Sequence, residues 1–136
     1  MKIKVINFGG VLPKRAHYND AGADVFANAS VTIQPNSVKK VPLGIGVEIP
    51  DGLLGMIAPR SSYASKGVTA ELAPIDSGYR GEIHAILTNN TSEHFYVEKG
   101  DRVAQLVIQP VILADFVSSL TADKRGSNAF GSTGSK

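Results

Sequence analysis

Residues 81–88, Gly-Glu-Ile-His-Ala-Ile-Leu-Thr, carry the alternation that decides the fold class. Successive side chains of a β-strand point to opposite faces. One face of this segment is therefore apolar and carries Ile83, Ala85 and Leu87. The other face carries Glu82, His84 and Ile86. The segment predicts a β-strand.

A second strand is predicted at residues 103–108, where both faces are largely apolar. A strand that is apolar on both faces is covered on both sides. Gln105 interrupts this apolar run, and a buried amide without a hydrogen bond costs about 1–3 kcal/mol. Gln105 is therefore either a hydrogen-bonded structural residue or a ligand-facing one.

The rest of the chain predicts an all-β fold of the sandwich or barrel type. Turn-forming Gly, Pro, Asn and Asp recur every eight to twelve residues between short Val- and Ile-rich runs, a spacing typical of such folds. One short helix is predicted at 61–66. Besides the segment at 81–88, strands are predicted at 3–6, 23–27, 31–33, 38–43, 45–49, 53–58, 95–97, 103–110 and 114–116.

Composition narrows the function classes. The chain has 136 residues, 43% of them hydrophobic, which predicts one globular domain. Its 14 basic and 12 acidic residues are too balanced for a nucleic-acid or membrane footprint. The absence of cysteine excludes disulfides, thiolate catalysis and Cys-based zinc sites. With no signal-like apolar run at the N-terminus and no membrane-length segment, we expect a cytoplasmic protein.

The segment Pro59-Arg60-Ser61-Ser62 follows a predicted strand and opens the predicted helix. Helix N-termini offer unpaired N–H donors that suit anions, and Arg60 adds a fixed positive charge. Ser61 also suits a helix N-cap. Phosphate binding and capping are compatible, so both interpretations stay open here.

Two carboxylates stand beside turn residues. Asp76 lies in the polar run 75–82, before Ser77 and Gly78, and is either a turn-forming residue or a base that orients and deprotonates water. Asp24, which follows Ala21-Gly22-Ala23, is either a turn aspartate or a ligand-facing one.

The C-terminal residues 125–136 are poor in apolar side chains, so we expect a mobile segment. Glycines allow backbone N–H groups to converge on an anion, and Arg125 offers a planar fork for phosphate oxygens. The composition fits a flap that closes over a nucleotide.

Together these clusters resemble the trimeric dUTPase family, the dUTP diphosphatases. Five ordered motifs of that family have counterparts here, and they cover most of the chain. They are Ala21-Gly22-Ala23-Asp24-Val25, Pro59-Arg60-Ser61-Ser62, the segment 75–83, Gly100-Asp101-Arg102-Val103-Ala104-Gln105, and the segment 125–134.

The resemblance implies a jelly-roll-like β domain at residues 1–124 and a flexible flap at 125–136. It also implies a homotrimer with three active sites at subunit interfaces, Mg²⁺ held mainly by the triphosphate and water, and hydrolysis of dUTP to dUMP and pyrophosphate.

The resemblance further implies individual roles. Asp76 activates the attacking water, Tyr79 stacks under the deoxyribose, and the backbone before Asp76, at Pro74 and Ile75, reads uracil. Asp24 supports the water shell of the metal or the neighbouring arginines. Phosphates are held by Arg60, Ser61, Ser62 and Gln105. In the flap, Arg125 reaches the γ-phosphate, Phe130 covers uracil, and the triphosphate is wrapped by Gly131, Ser132 and Thr133.

Three alternatives share parts of this pattern. A dCTP deaminase has the related fold, but deaminases tend to carry Phe at the position of Tyr79 and lack such a tail. A nucleotide-sensing binding protein would not need Asp76. A jelly-roll structural subunit would have no reason to keep all five clusters.

Overall fold

The structure, a computed structural model, describes residues 1–119. These residues form eleven strands and one short helix, α1 (Ser61–Ala64), which confirms the all-β prediction. The strands are β1 Lys4–Asn7, β2 Ala23–Phe26, β3 Val31–Ile33, β4 Ser37–Pro42, β5 Ile45–Glu48, β6 Leu53–Ala58, β7 Val68–Ala70, β8 Ala73–Ile75, β9 His84–Asn89, β10 Phe95–Val97 and β11 Arg102–Pro110.

The strand pairing explains the architecture. Early strands pair with late strands in reverse order: β2 with β11, β3 with β10 and β4 with β9, all antiparallel. The strands thus form a long antiparallel ribbon, and this ribbon wraps around the core. This is the jelly-roll-like β fold that the family resemblance implied. The sheet that matters most below has the order β2-β11-β6-β8.

Burial of side chains in the core confirms the facing predicted for the segments that form β9 and β11. In β9, Ala85 and Leu87 are fully buried, whereas His84 and Ile86 on the other face are only half-buried. In β11, Val103 and Ala104 are both fully buried although they point to opposite faces. Coverage on both sides of β11 therefore holds within a single chain.

Several predicted boundaries are wrong. The strand predicted at 114–116 is absent, because residues 111–119 have no strand partner among the described residues and leave Ile112 and Phe116 exposed. The helix predicted at 61–66 ends at Ala64, and Gly67 with φ +84° turns the chain. The strand predicted at 81–88 begins only at His84.

Two strands, β7 and β8, were not predicted at all. Each has three residues, and their sequences, Val-Thr-Ala and Ala-Pro-Ile, lack a clear alternation. They form because β9 and β6 offer partners: β7 pairs with β9, and β8 pairs with β6. β8 is an edge strand of its sheet, the place where a strand tolerates the missing N–H of Pro74.

Within residues 1–119, no helix has the length and apolar character needed to cross a membrane.

Asn89 is the buried polar residue of this core, with no exposed surface. Its Nδ2 donates hydrogen bonds to the carbonyl oxygens of Ile33 at 3.0 Å and Glu93 at 2.7 Å. Its Oδ1 accepts from the backbone N–H of Thr91 at 3.0 Å and from the Thr91 hydroxyl at 2.7 Å. One side chain thus joins β9, β3 and the β9–β10 turn, and its amide is fully satisfied.

We expect Asn89→Ala to lower the free energy of unfolding by about 2–4 kcal/mol, because buried groups of Ile33 and Thr91 lose their partners. Asn90→Ala is the matched control, since that exposed side chain makes one 3.5 Å contact with Thr69, and its effect should stay within about 0.5 kcal/mol. Urea denaturation measures both. Equal effects for the two variants would contradict the role of Asn89.

Candidate active site

Three neighbouring strands bring several predicted site residues to one end of a sheet. In β11, Gln105 lies opposite Asp24 of β2 on one side and opposite Ala58 of β6 on the other. The chain leaves β6 at Ala58 and continues through Pro59 and Arg60 into α1. The register therefore sets Asp24, Gln105 and Arg60 side by side.

Gln105 is a satisfied amide in this structure. Its Nε2 donates a hydrogen bond to the carbonyl oxygen of Pro59 at 3.0 Å. Gly22 lies directly against it: a Cβ added at Gly22 would lie 2.4 Å from Oε1 of Gln105. A side chain at position 22 would therefore force the Gln105 side chain to move, and Gln105 is bonded to the corner where β6 turns into α1.

Asp24 lies between two guanidinium groups. Its Oδ2 is 3.6 Å from Nε of Arg102, and its Oδ1 is 4.0 Å from Nε of Arg60. The Asp24 carboxylate therefore faces both arginines. The described residues contain no group of three or more His, Cys, Asp or Glu side chains placed to hold a metal ion.

Ser61 and Ser62 are the first two residues of α1, and both are exposed. Arg60, and not the predicted Ser61, is the N-cap, and its backbone angles are extended. Within the described residues, neither hydroxyl makes a hydrogen bond. α1 spans four residues, so its dipole adds little, and the donors for an anion are the individual N–H groups and hydroxyls.

A second group forms around the turn that follows β8. The backbone N–H of Tyr79 donates to the carbonyl oxygen of Asp76 at 3.1 Å, which closes the turn. The Tyr79 hydroxyl donates to the carbonyl oxygen of Glu82 at 2.9 Å, which fixes the ring. Asp76 and Tyr79 line one pocket of about 270 Å³, together with Pro74 and Ile75 of β8.

The same pocket has walls that the sequence did not assign to it. Lys40 of β4 and His84 of β9 line it, and so does Glu82, whose Oε2 accepts a hydrogen bond from the backbone N–H of Gly44 at 2.9 Å. One feature of the sequence pointed to His84: it lies with Glu82 on the less apolar face of the predicted strand and therefore outside the core. No sequence signal placed Lys40 in the same pocket as Asp76, because the two residues belong to segments of different sheets that meet only in the folded chain.

The turn beside Asp76 is held by two further side chains. The Ser77 hydroxyl donates to Oδ1 of Asp51 at 2.8 Å. Nη1 of Arg80 donates to the carbonyl oxygens of Ser77 at 2.5 Å and Tyr79 at 3.2 Å. Asp76 therefore projects from an anchored turn, and its own side chain is exposed.

The two groups are well separated within one chain. β8 pairs with β6 at residues 55–57, and Ile75, which precedes Asp76, lies opposite Gly55. Arg60 lies five residues further along the chain, roughly 15 Å away at the rise of a strand. Among the described residues, the Asp76 pocket has no lining contribution from Asp24, Arg60 or Gln105. The two groups of predicted site residues thus lie at different places on one chain.

The remaining predicted site residues lie outside the described residues 1–119. They are Arg125, Phe130, Gly131, Ser132 and Thr133.

Comparisons with known proteins all point to one family. The dUTPase family model matches residues 10–134. The deoxyuridine 5'-triphosphate nucleotidohydrolase of Tropheryma whipplei (strain Twist) is 44% identical over 140 residues, covering 98% of this chain and 96% of that protein. The protein of the same name from Clostridium tetani is 42% identical over 139 residues, with 98% and 96% coverage.

Solved structures show the same fold. The dUTPase from phage phi11 of S. aureus, described with a structural Mg(II) ion, superposes with a TM-score of 0.83 at 25% identity, covering 89% of this chain and 98% of that chain. A variant of the phage 80alpha dUTPase superposes with a TM-score of 0.84 at 26% identity, covering 96% and 98%.

We expect Gly22→Ala to destabilise the protein by about 1–3 kcal/mol, because the new methyl group would overlap Gln105 and displace it from Pro59. Gly78→Ala is the matched control, since an added Cβ there meets nothing within 4 Å. Thermal unfolding measures both variants. A Gly22→Ala protein as stable as Gly78→Ala would contradict the close approach.

Proposed function

The chain belongs to the dUTPase family, and from this premise we propose that it hydrolyses dUTP to dUMP and pyrophosphate, with water attacking the α-phosphorus. The observation that supports this best is the shared pocket of Asp76 and Tyr79 beside β8. This pocket contains the exposed carboxylate of Asp76, the fixed ring of Tyr79 and the edge strand β8, which we expect to contact the uracil base.

Asp76 is the general base in this proposal. Its carboxylate accepts a proton from water as the water oxygen bonds to the α-phosphorus. The bond between that phosphorus and the α,β-bridging oxygen breaks, and pyrophosphate leaves with the electron pair. The anchored turn, held by Asp51 and Arg80, keeps the carboxylate in position during this step.

The pocket beside Asp76 receives the nucleoside. The Tyr79 ring is fixed through Glu82, so it forms a rigid surface under the deoxyribose and leaves no room for a 2′-hydroxyl. Backbone groups of Pro74 and Ile75 read uracil. Pro74 has no N–H and offers only a carbonyl, which suits the N3–H donor of uracil.

The phosphates bind at the other of the two groups of site residues, in a second copy of the chain. Phosphate donors there are the guanidinium of Arg60 and the hydroxyls of Ser61 and Ser62. Among the described residues, the two hydroxyls and Nη2 of Arg60 make no hydrogen bond, so they can donate to phosphate oxygens. Gln105 has one further amide N–H beyond the one given to Pro59. Because the two groups of one chain lie at opposite ends of β6, a homotrimer with sites between subunits fits the geometry, since cyclic assemblies close such heterologous contacts.

Magnesium fits this arrangement as a cation held through water and phosphate. The ion commonly keeps several waters and binds phosphate oxygens, and the Asp24 side chain, 20% exposed, can accept hydrogen bonds from such waters. When bound, magnesium neutralises charge on the triphosphate. Asp24 meanwhile orients Arg60 and Arg102 around the same anion.

Residues 125–136 form the proposed flap, donated by a third copy. Arg125 reaches the γ-phosphate, Phe130 covers uracil, and Gly131, Ser132 and Thr133 wrap the triphosphate. Flap closure excludes water other than the nucleophile. We place the enzyme in the cytoplasm, because the absence of cysteine is compatible with a reducing compartment.

We expect Asp76→Asn to lower kcat by about a hundredfold or more, because the amide cannot accept the proton of water. The dissociation constant for dUTP should change little, since the pocket keeps its shape. Pyrophosphate release and calorimetric binding measure the two quantities. Glu93→Gln, at an exposed carboxylate on the β9–β10 turn, is the control and should keep wild-type turnover. Full activity of Asp76→Asn would remove Asp76 as the base.

A further inference from the structure

Tyr63 is a buried aromatic residue of α1 that the proposed mechanism does not use. Its side chain is 9% exposed. The ring meets Phe95 of β10 edge to face, with centroids 5.1 Å apart and an angle of 74° between the ring planes. This contact fixes the orientation of the Tyr63 ring from the core side.

The free face of that ring lies under Arg60. The guanidinium carbon of Arg60 is 5.5 Å from the ring centroid, within the range of a cation–π interaction. Nη1 of Arg60 donates to the carbonyl oxygen of Arg102 at 2.9 Å, and Nε faces Asp24. Among the described residues, Nη2 makes no hydrogen bond, so its two N–H donors are available for a ligand.

These contacts matter because an arginine side chain has many rotamers, and ordering it on binding costs free energy. A guanidinium that is already held on three sides loses less freedom when a phosphate arrives. Asp24 and the Arg102 carbonyl contact the nitrogen atoms of the Arg60 guanidinium. The Tyr63 ring covers a part of the guanidinium that these two groups leave free.

We propose that Tyr63 is a positioning residue that holds Arg60 ready for the triphosphate of the substrate. This inference rests on the proposed function, in which Arg60 binds phosphate. Tyr63 acts through Arg60 and touches no reacting atom.

The chemistry of the ring agrees with this role. Burial raises the pKa of Tyr63, the nearby Asp101 raises it further, and Arg60 lowers it. The side chain is therefore a neutral phenol at neutral pH, and it attracts the guanidinium through the face of its ring. Phenylalanine offers the same face, whereas leucine fills similar space without it.

The test is a double-mutant cycle between Tyr63 and Arg60. Tyr63→Phe, Tyr63→Leu, Arg60→Ala and the double variant Tyr63→Leu/Arg60→Ala are compared by KM and kcat for dUTP and by melting temperature. We expect Tyr63→Phe to match wild type and Tyr63→Leu to raise KM about three- to tenfold. In the Arg60→Ala background, Tyr63→Leu should change KM less than about twofold.

A purely structural role would give a different result. Tyr63→Leu would then raise KM equally with and without Arg60, or would lower the melting temperature while leaving KM unchanged. Either result overturns the proposal.

A measurement without substrate separates this inference from the proposed function. The side-chain Nε–H resonance of Arg60, assigned by its loss in Arg60→Ala, should shift in Tyr63→Leu and stay near its wild-type position in Tyr63→Phe, because the ring current of Tyr63 acts on it. An unshifted resonance in Tyr63→Leu overturns the positioning role. A wild-type protein that hydrolyses no dUTP overturns the proposed function instead.

Discussion

The register of β6 against its two neighbours is the constraint on which the site depends. Hydrogen bonding to β11 fixes Ala58 beside Gln105, and through Gln105 beside Asp24. Hydrogen bonding to β8 fixes Gly55 beside Ile75, and so sets Asp76 toward the other end of the strand. A one-residue slip would turn every β6 side chain to the opposite face. The buried core, with Ile57 fully enclosed, prevents that slip.

This register gives each chain two chemically different ends. One end concentrates positive charge and donors, with Asp24 keeping Arg60 and Arg102 apart and oriented. The other end offers an exposed carboxylate above a half-apolar pocket. A polyanion with a base and a sugar needs both kinds of surface. Because one chain holds the two surfaces apart, the proposed site combines them between chains, and the proposed trimer would supply that contact.

Much of the fold could be predicted from the sequence, because β9 shows a local alternation of apolar and polar residues and β11 is a largely apolar run. Asp76, Tyr79, Pro74 and Ile75 were predicted together, and they share a pocket. The parts that could not be predicted depend on pairing between distant segments. β7 and β8 have weak strand patterns and form only because β9 and β6 are beside them. Lys40 reaches the pocket through the pairing of β4 with β9, and the contact of Arg60 with the Tyr63 ring likewise depends on the folded chain.

Subunit mixing tests the central claim, that each working site combines Asp76 of one chain with Arg60 of another. Asp76→Asn and Arg60→Gln chains, each inactive alone, are unfolded together at equal concentration, refolded and assayed for pyrophosphate release from dUTP. Random assembly should restore roughly a quarter of the wild-type activity, because that share of sites receives both intact residues. The same chains refolded separately and then combined without exchange should stay inactive. No recovery in the co-refolded sample, although the mixed assembly forms, would contradict a site shared between chains.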